Sequence, residues 1–204
     1  MIYEIQTWTL IPGTISKVEE IFEKKLSLRL KYSQMAAFWH TDIGALNQVI
    51  HVWPYENYRH RNEVYDSIGN SHNIINELAE YIISMESEIY FPAPFSPNLC
   101  EGKKLGNIYE MRIYQHKPRS IPTVIKRWTE AMPERLKLSP IAACMWTDIG
   151  NLNRWMHIWP YSDLEERSSI RVQASKLKTW PPKSLEYMIS MKNKILSPAS
   201  FSPM

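Results

Sequence analysis

The 204-residue chain lacks most of the features that announce a chemistry directly. It has two cysteines, Cys100 and Cys144, too few for a disulfide framework. No apolar run approaches the roughly 20 residues that a membrane-crossing helix needs. Lysine and arginine form no long run, and the net charge is only +3, so no nucleic-acid footprint is expected. The chain opens on strand-like Ile2-Tyr3-Glu4, with neither a basic, apolar-cored leader nor an Arg-rich amphipathic one, so a cytoplasmic protein is expected. There is no Gly-rich phosphate loop, no Gly-x-Ser-x-Gly turn and no recognised zinc-ligand spacing. Phosphate-loop enzymes, nucleophile-elbow hydrolases and zinc sites are thereby set aside, and no metal is expected.

What the chain has in quantity is aromatic: eight Trp and eleven Tyr. That is enough to line a cavity or to build two dense cores. It also has one stretch written twice. Thr41-Asp42-Ile43-Gly44-Ala45-Leu46-Asn47 leads into Gln48-Val49-Ile50-His51-Val52-Trp53-Pro54-Tyr55. Thr147-Asp148-Ile149-Gly150-Asn151-Leu152-Asn153 leads into Arg154-Trp155-Met156-His157-Ile158-Trp159-Pro160-Tyr161. Each residue stands 106 positions after its mate, as Thr147 does after Thr41. A solenoid unit is roughly 20–50 residues long, so this period is that of a small domain repeated in tandem.

Each copy has the same internal order. Ile2 to Leu10 is aromatic and β-branched and stops at Pro12-Gly13, which predicts a strand and a turn. A helix follows. Ser16 with Glu19 fits a capping box, and Val18, Phe22, Leu26 and Leu30 mark its apolar stripe. Its mate carries Val124, Trp128 and Met132, and Pro133 predicts a kink or early stop. Strands over Met35 to Thr41 and Asn47 to Tyr55 flank the Gly44 turn. A second helix starts near Asn57, or after Ser162 with Glu165 as its capping partner. A last strand holds Ile83, Met85 and Ile89, repeated as Ile189, Met191 and Ile195. Each copy closes on a proline-rich tail, Pro92-Ala93-Pro94-Phe95-Ser96-Pro97 and Pro198-Ala199-Ser200-Phe201-Ser202-Pro203, expected to be extended along the body of its domain. The predicted order is β-α-β-β-α-β, over residues 1–97 and 108–204 with a linker at 98–107. Such a sheet is covered by helices on one side only. Two such sheets in one chain bury each other. The expected class is α+β: two ferredoxin-like repeats whose sheets face each other as an intrachain dimeric α/β barrel.

The opening Ile-Tyr-Glu of each copy, Trp39-His40-Thr41-Asp42-Ile43-Gly44, Leu46-Asn47-Gln48-Val49-Ile50-His51-Val52-Trp53 and the closing Pro-Ala-Pro-Phe-Ser-Pro resemble the NIPSNAP family, over nearly the whole chain. The resemblance implies the dimeric α+β barrel superfamily. That superfamily includes cofactor-independent oxygenases, small-molecule isomerases and haem-binding enzymes, and animal members of the family are linked to protein interactions. It implies no catalytic residue set. The second copy departs from the pattern at Met145 for Trp39, Trp146 for His40 and Ser200 for Pro94.

Strand alternation sorts the repeated motif. Asn47, Val49, His51, Trp53 and Tyr55 share one face, as do Asn153, Trp155, His157, Trp159 and Tyr161. Ile50 and Val52 share the other. With the aliphatic face given to the helices, the His/Trp/Tyr face looks into the space between the sheets. Glu4, Gln6 and Trp8, with Glu110, Arg112 and Tyr114, join it from the first strand of each repeat. His51 and His157 are the candidate proton-transfer groups. Asn47, Trp53, Tyr55 and their mates Asn153, Trp159 and Tyr161 shape the ligand site, with Glu4, Trp8, Glu110, Arg112, Tyr114 and His40. Arg61, Arg112 and Arg167 either hold an acidic ligand or belong to ion-pair networks. The expected function is small-molecule binding in an aromatic cavity, as a cofactor-independent enzyme on an organic metabolite or as a binding protein alone. A protein-interaction scaffold whose aromatic face is only core is the alternative. A haem-binding barrel is the third, since one histidine suffices as axial ligand. The chain is expected to act as a monomeric pseudo-dimer or to pair again as a homodimer.

Overall fold

A computed structural model describes residues 1–69, 74–99 and 103–204. Cys100 and Gly102 of the expected linker lie outside the described residues. The first repeat comprises β1 (Ile2–Leu10), α1 (Ile15–Arg29), β2 (Ala37–Ile43), β3 (Gln48–Tyr55), α2 (Tyr58–Ile68), a short α3 (Ile75–Leu78) and β4 (Ile82–Pro92). The second comprises β5 (Ile108–His116), α4 (Ile121–Leu136), β6 (Ala143–Ile149), β7 (Arg154–Tyr161), α5 (Leu164–Ala174) and β8 (Met188–Pro198). The β-α-β-β-α-β order of each repeat is as the sequence predicts, with the extra turn α3 added in the first.

The local signals explain most boundaries. Val18, Phe22 and Leu26, four apart, form the buried stripe of α1. At α2 the cap is Asn57, whose side chain accepts from His60 N. Gly44 (φ 122°) and Asn47 (φ 56°), with Gly150 (φ 99°) and Asn153 (φ 61°), turn the chain between paired strands. The expected capping boxes differ in detail. Thr14 precedes α1 and its side chain makes no cap. Asp163, not Ser162, caps α5 by accepting from Glu166 N at 2.8 Å. Helix α4 continues through Pro133 to Leu136, because a proline this near the end removes only one late backbone bond.

All eight strands join one closed barrel in the order β1-β3-β2-β8-β5-β7-β6-β4. Two seams connect the repeats. Thr41 of β2 pairs with Leu196 of β8, and Tyr90 of β4 with Thr147 of β6. The tails cross these seams. Ala93 N donates to Cys144 O at 2.8 Å, and Ser96 Oγ accepts from Cys144 N at 3.0 Å. Their mates Ala199 and Ser202 do the same to Phe38 at 3.1 and 2.9 Å. Each proline-rich tail therefore lies on the other repeat, not along its own as expected.

The register corrects the expected facing of β3. Ile50 and Val52 pack with Tyr3, Ile5, Ala37 and Trp39 and with Tyr90, Tyr109, Met111, Met156 and Leu196. This cluster draws on all eight strands and on neither main helix layer, so it is the barrel interior. His51, Trp53 and Tyr55 lie on the opposite face, under α1 and α2 with Phe22, Leu26 and Val64. The physical reason is volume. An eight-stranded barrel has an interior just wide enough for side chains to fill, and aliphatic residues with a few aromatics fill it. The larger aromatic face goes outward, where a helix can stand off from it. β3 and β7 are buried over almost their whole length because both faces are covered.

One end of the barrel is apolar, around Trp39, Tyr90 and Tyr109. The other end carries charge that reverses between repeats: Glu86 and Glu88 have Lys192 and Lys194 as mates, and Gln48 has Arg154. Arg154 Nη1 meets Glu88 Oε1 at 2.5 Å, and Lys194 Nζ donates to Gln48 Oε1 at 2.6 Å. Arg154→Gln is expected to lower unfolding free energy by on the order of 2 kcal/mol in urea titration, since it leaves a half-buried carboxylate short of its partner. A change within about 0.5 kcal/mol, the range of an ordinary surface substitution, would contradict this.

Candidate functional site

The outward turn of the His/Trp face places one pocket under the helices of each repeat. The first holds about 570 Å³. Its floor is Glu4, Gln6 and Trp8 of β1 with His51 and Trp53 of β3; α1 supplies Phe22, Leu26 and Arg29, and α2 supplies Arg61 and Tyr65. The second holds about 380 Å³, over Glu110, Arg112, Tyr114, His157 and Trp159, with Trp128 and Arg135 of α4 and Arg171 of α5. The space between the sheets, where the sequence reading put the cavity, is filled by the barrel core instead.

Residues two apart on a strand share a face, and this gives both repeats the same pair. Trp53 Nε1 donates to His51 Nδ1 at 2.6 Å, and Trp159 Nε1 donates to His157 Nδ1 at 2.6 Å. An indole nitrogen only donates, so each Nδ1 is unprotonated and the neutral ring carries its hydrogen on Nε2. Burial, reinforced by the Arg29 charge, pushes His51 down to about 3. Burial, then Arg112 and Arg135, pushes His157 well below its ordinary range. At neutral pH both rings are therefore uncharged donors. Neither Nε2 has a hydrogen-bond partner among the described residues. Trp8 lies T-shaped against His51 at 4.5 Å, and Tyr114 against His157 at 4.8 Å. To act as a base in this arrangement, either histidine must first give up its indole bond. The same tautomer has no free Nε2 lone pair for an iron, so the two histidines do not fit the haem reading. Among the described residues no three His, Cys, Asp or Glu side chains gather as a metal site.

Beside each pair sits a fully buried carboxylate. Glu4 takes Arg61 Nη2 at 2.5 Å and Ser87 Oγ at 2.7 Å on one oxygen, and Tyr65 OH at 2.9 Å on the other. Burial, then Glu4, raises the Tyr65 phenol. Glu110 Oε1 takes Arg167 at 2.7 Å and Arg112 at 2.9 Å. Burial opposes its ionisation, but Arg167, Arg112 and Arg171 together hold its carboxyl below the usual range.

A third repeated group was absent from the sequence reading. Arg29 lies 4.1 Å over the Trp53 ring and bonds Tyr55 OH at 2.8 Å. Arg135 lies 4.0 Å over the Trp159 ring and bonds Ser139 Oγ at 2.8 Å. The signal was present: an arginine at the last turn of each first helix, 106 apart, facing the repeated Trp. Tyr65, Trp128, Arg171 and Trp180 were also not anticipated in a site, because they come from helices and loops that strand alternation does not sort.

Of the expected ligand residues, Glu4, Trp8 and Trp53 line the first pocket, and Glu110, Arg112, Tyr114, Trp159 and Tyr161 the second. Tyr55 is buried behind Arg29. Asn47 and Asn153 are the left-handed turn residues before β3 and β7. His40 points to α1, where Nδ1 meets Glu19 Oε1 at 2.8 Å, a bond that raises its pKa.

A closed barrel of two α+β repeats, with a pocket under each helix layer, defines the class: a dimeric α+β barrel folded from one chain. The putative monooxygenase of Lactobacillus acidophilus has the same fold, with a TM-score of 0.68 at 14% identity over 100% of this chain and 94% of its own. The family model described as NIPSNAP matches twice, at residues 3–97 and 109–203. Protein NipSnap homolog 3B of Homo sapiens is 30% identical over 99% of this chain and 85% of its own. Protein NipSnap homolog of Dictyostelium discoideum is 29% identical over 97% and 87%. The chain belongs to the NIPSNAP family. No helix among the described residues is long and apolar enough to cross a membrane.

The buried histidines set a pH dependence. His51, His116 and His157 have lowered pKa values in the folded state. The unfolded chain therefore binds more protons as pH falls below about 6.5, and stability is lost from there downward. His40, whose folded pKa is raised, opposes this. Unfolding free energy is expected to fall between pH 7 and 5, by up to about 1.4 kcal/mol per pH unit for each histidine that stays neutral. His51→Gln should flatten that slope. A pH-independent midpoint over this range would contradict the neutral tautomers.

Proposed function

We propose that the protein binds small organic molecules in the two pockets between the barrel wall and its helices. The observation that carries this reading is the repeated His–Trp floor with open volume above it. Both histidine donors are desolvated, both tryptophans are clamped edge and face, and the helices nevertheless leave space for about 570 and 380 Å³. A floor serving only as core would be expected to close onto its helices, because interiors are close-packed. An apolar pocket with a few convergent polar groups suits an organic metabolite. The polar groups here are Glu4 with Tyr65 and Arg61, and Glu110 with its arginines. The fold shared with the putative monooxygenase of Lactobacillus acidophilus is compatible with chemistry in such a pocket, and the proposal extends to binding alone.

The test is thermal unfolding of the full chain against a panel of aromatic and aliphatic metabolites, beside native mass spectrometry of protein purified without denaturant. A ligand at 100 times its dissociation constant adds about 2.7 kcal/mol, a rise in Tm of roughly 5–10 °C for a chain of this size. Leu26→Trp, which fills the first pocket, should abolish the rise for ligands of that pocket. A panel that moves no Tm, together with protein that retains no small molecule, would contradict the reading.

A further inference from the structure

The two pockets share their floor but differ in charge, and the difference falls at matched positions. Gln6 and Tyr65 of the first repeat correspond to Arg112 and Arg171 of the second. In the first pocket the charges balance: Arg29 and Arg61 stand with Glu4 and Asp66, and Lys25 is paired with Glu77 at 2.7 Å. In the second, Arg112, Arg135 and Arg171 face the single carboxylate of Glu110. That carboxylate is already engaged by Arg112 and by Arg167, which reaches it from outside the lining. Arg171 is left 3.8 Å from the remaining oxygen, too far for a hydrogen bond. Glu110 Oε2 has no hydrogen-bond partner among the described residues, although it is buried. Tyr65 OH fills the matching place on Glu4.

Arg135 shares its arrangement with Arg29 of the first pocket, but Arg135 is buried where Arg29 is only partly so. Arg135 is 3% exposed, and its recorded partners are Ser139, Tyr161 and the faces of Trp159 and Trp180, with no carboxylate within ion-pair distance among the described residues. Burial lowers its pKa. A guanidinium kept from water without an anion is costly, and an anion entering the pocket removes that cost.

The walls of the second pocket are also flatter and more aromatic. Trp128 stands where the first repeat has Phe22, and Trp180 where it has Ile74. Trp180 is T-shaped to Trp128 at 5.3 Å and to Trp159 at 5.9 Å. Trp180 thus stands edge-on to both other indoles, and the three give the pocket an aromatic wall against which a planar ring can pack.

We propose that the second-repeat pocket is selective for the anion of a planar aromatic carboxylic acid, held by Arg171 and Arg135 with its ring among Trp128, Trp159 and Trp180. The first-repeat pocket, with balanced charge, has no such preference. This rests on the pocket reading above.

The experiment is isothermal titration of the full chain at low salt with 2-naphthoate and with its uncharged analogue 2-naphthamide. One charge-assisted contact contributes about 1.5–3 kcal/mol, so naphthoate is expected to bind one site roughly ten- to a hundredfold more tightly than the amide. Arg112→Gln with Arg171→Tyr installs the first repeat's own residues. It should remove that preference. Should the double variant fail to fold by circular dichroism, wild-type protein decides. Added NaCl must weaken naphthoate and spare the amide. Equal affinity for the two compounds, salt-insensitive naphthoate binding, or full naphthoate affinity in a folded double variant overturns the anion assignment alone. No binding of either compound overturns it together with the pocket reading.

Discussion

Everything in this molecule depends on the two seams where one repeat's edge strand bonds the other's. A four-stranded sheet with helices on one side has two open edges and one bare face, all of them liabilities in water. Pairing β2 with β8 and β4 with β6 removes all four edges, and folding the sheets around a common interior buries both bare faces. The tails then extend the seams. Phe201 of the second tail lies 4.9 Å from Phe38 and 6.0 Å from Phe22, within the helix-covered core of the first repeat. Ala93 and Phe95 do the same in the second. Each helix-covered core is thus completed partly by chain from the opposite repeat. The charge exchange between Glu88 and Lys194 across the pseudo-two-fold suits one repeat to the other. In a self-pairing of the second repeat, Lys194 would face Arg154.

Closure also decides where open volume can exist. The barrel interior is small and is filled by residues that leave no room, Trp39, Tyr109 and Met111 among them. Space remains where a helix, holding its distance through Phe22 or Trp128, bridges over an aromatic floor. The His–Trp pair keeps that floor rigid. The indole hydrogen fixes the imidazole tautomer, and the arginine stacked on the indole at 4.0–4.1 Å fixes the indole. Duplication supplied two such floors, and divergence at Gln6/Arg112 and Tyr65/Arg171 gave them different electrostatics.

The fold was legible because it is written in periodic signals. Alternation in Ile2 to Leu10, the stripe Val18-Phe22-Leu26 and the 106-residue repeat each state a local geometry. The facing of β3 was not legible. Ile50/Val52 and His51/Trp53 are both apolar enough to be buried, and alternation says only that they are opposite, not which is inside. That choice depends on the volume of a closed barrel, which no single strand encodes. The candidate site was legible in part for the same reason. His51, Trp53, Glu4 and Arg112 lie on strands whose alternation groups them. Arg29 and Tyr65 reach the site from helices, and their contribution rests on how α1 and α2 cross the sheet. The proline-rich tails are expected to be extended along their own domains. Each instead turns, with Ser96 N donating to Ala93 O at 2.9 Å and Ser202 N to Ala199 O at 3.0 Å, and seats on the other repeat, which is a tertiary fact.

The central claim is that a ligand enters between helix and sheet and not between the sheets. The indole N–H resonances of the eight tryptophans test it directly, since the two regions hold different ones. On titration with 2-naphthoate, the account predicts that Trp128, Trp159 and Trp180 shift together while Trp39, inside the barrel, stays in place. A shift at Trp39 with the three pocket indoles unmoved would contradict it.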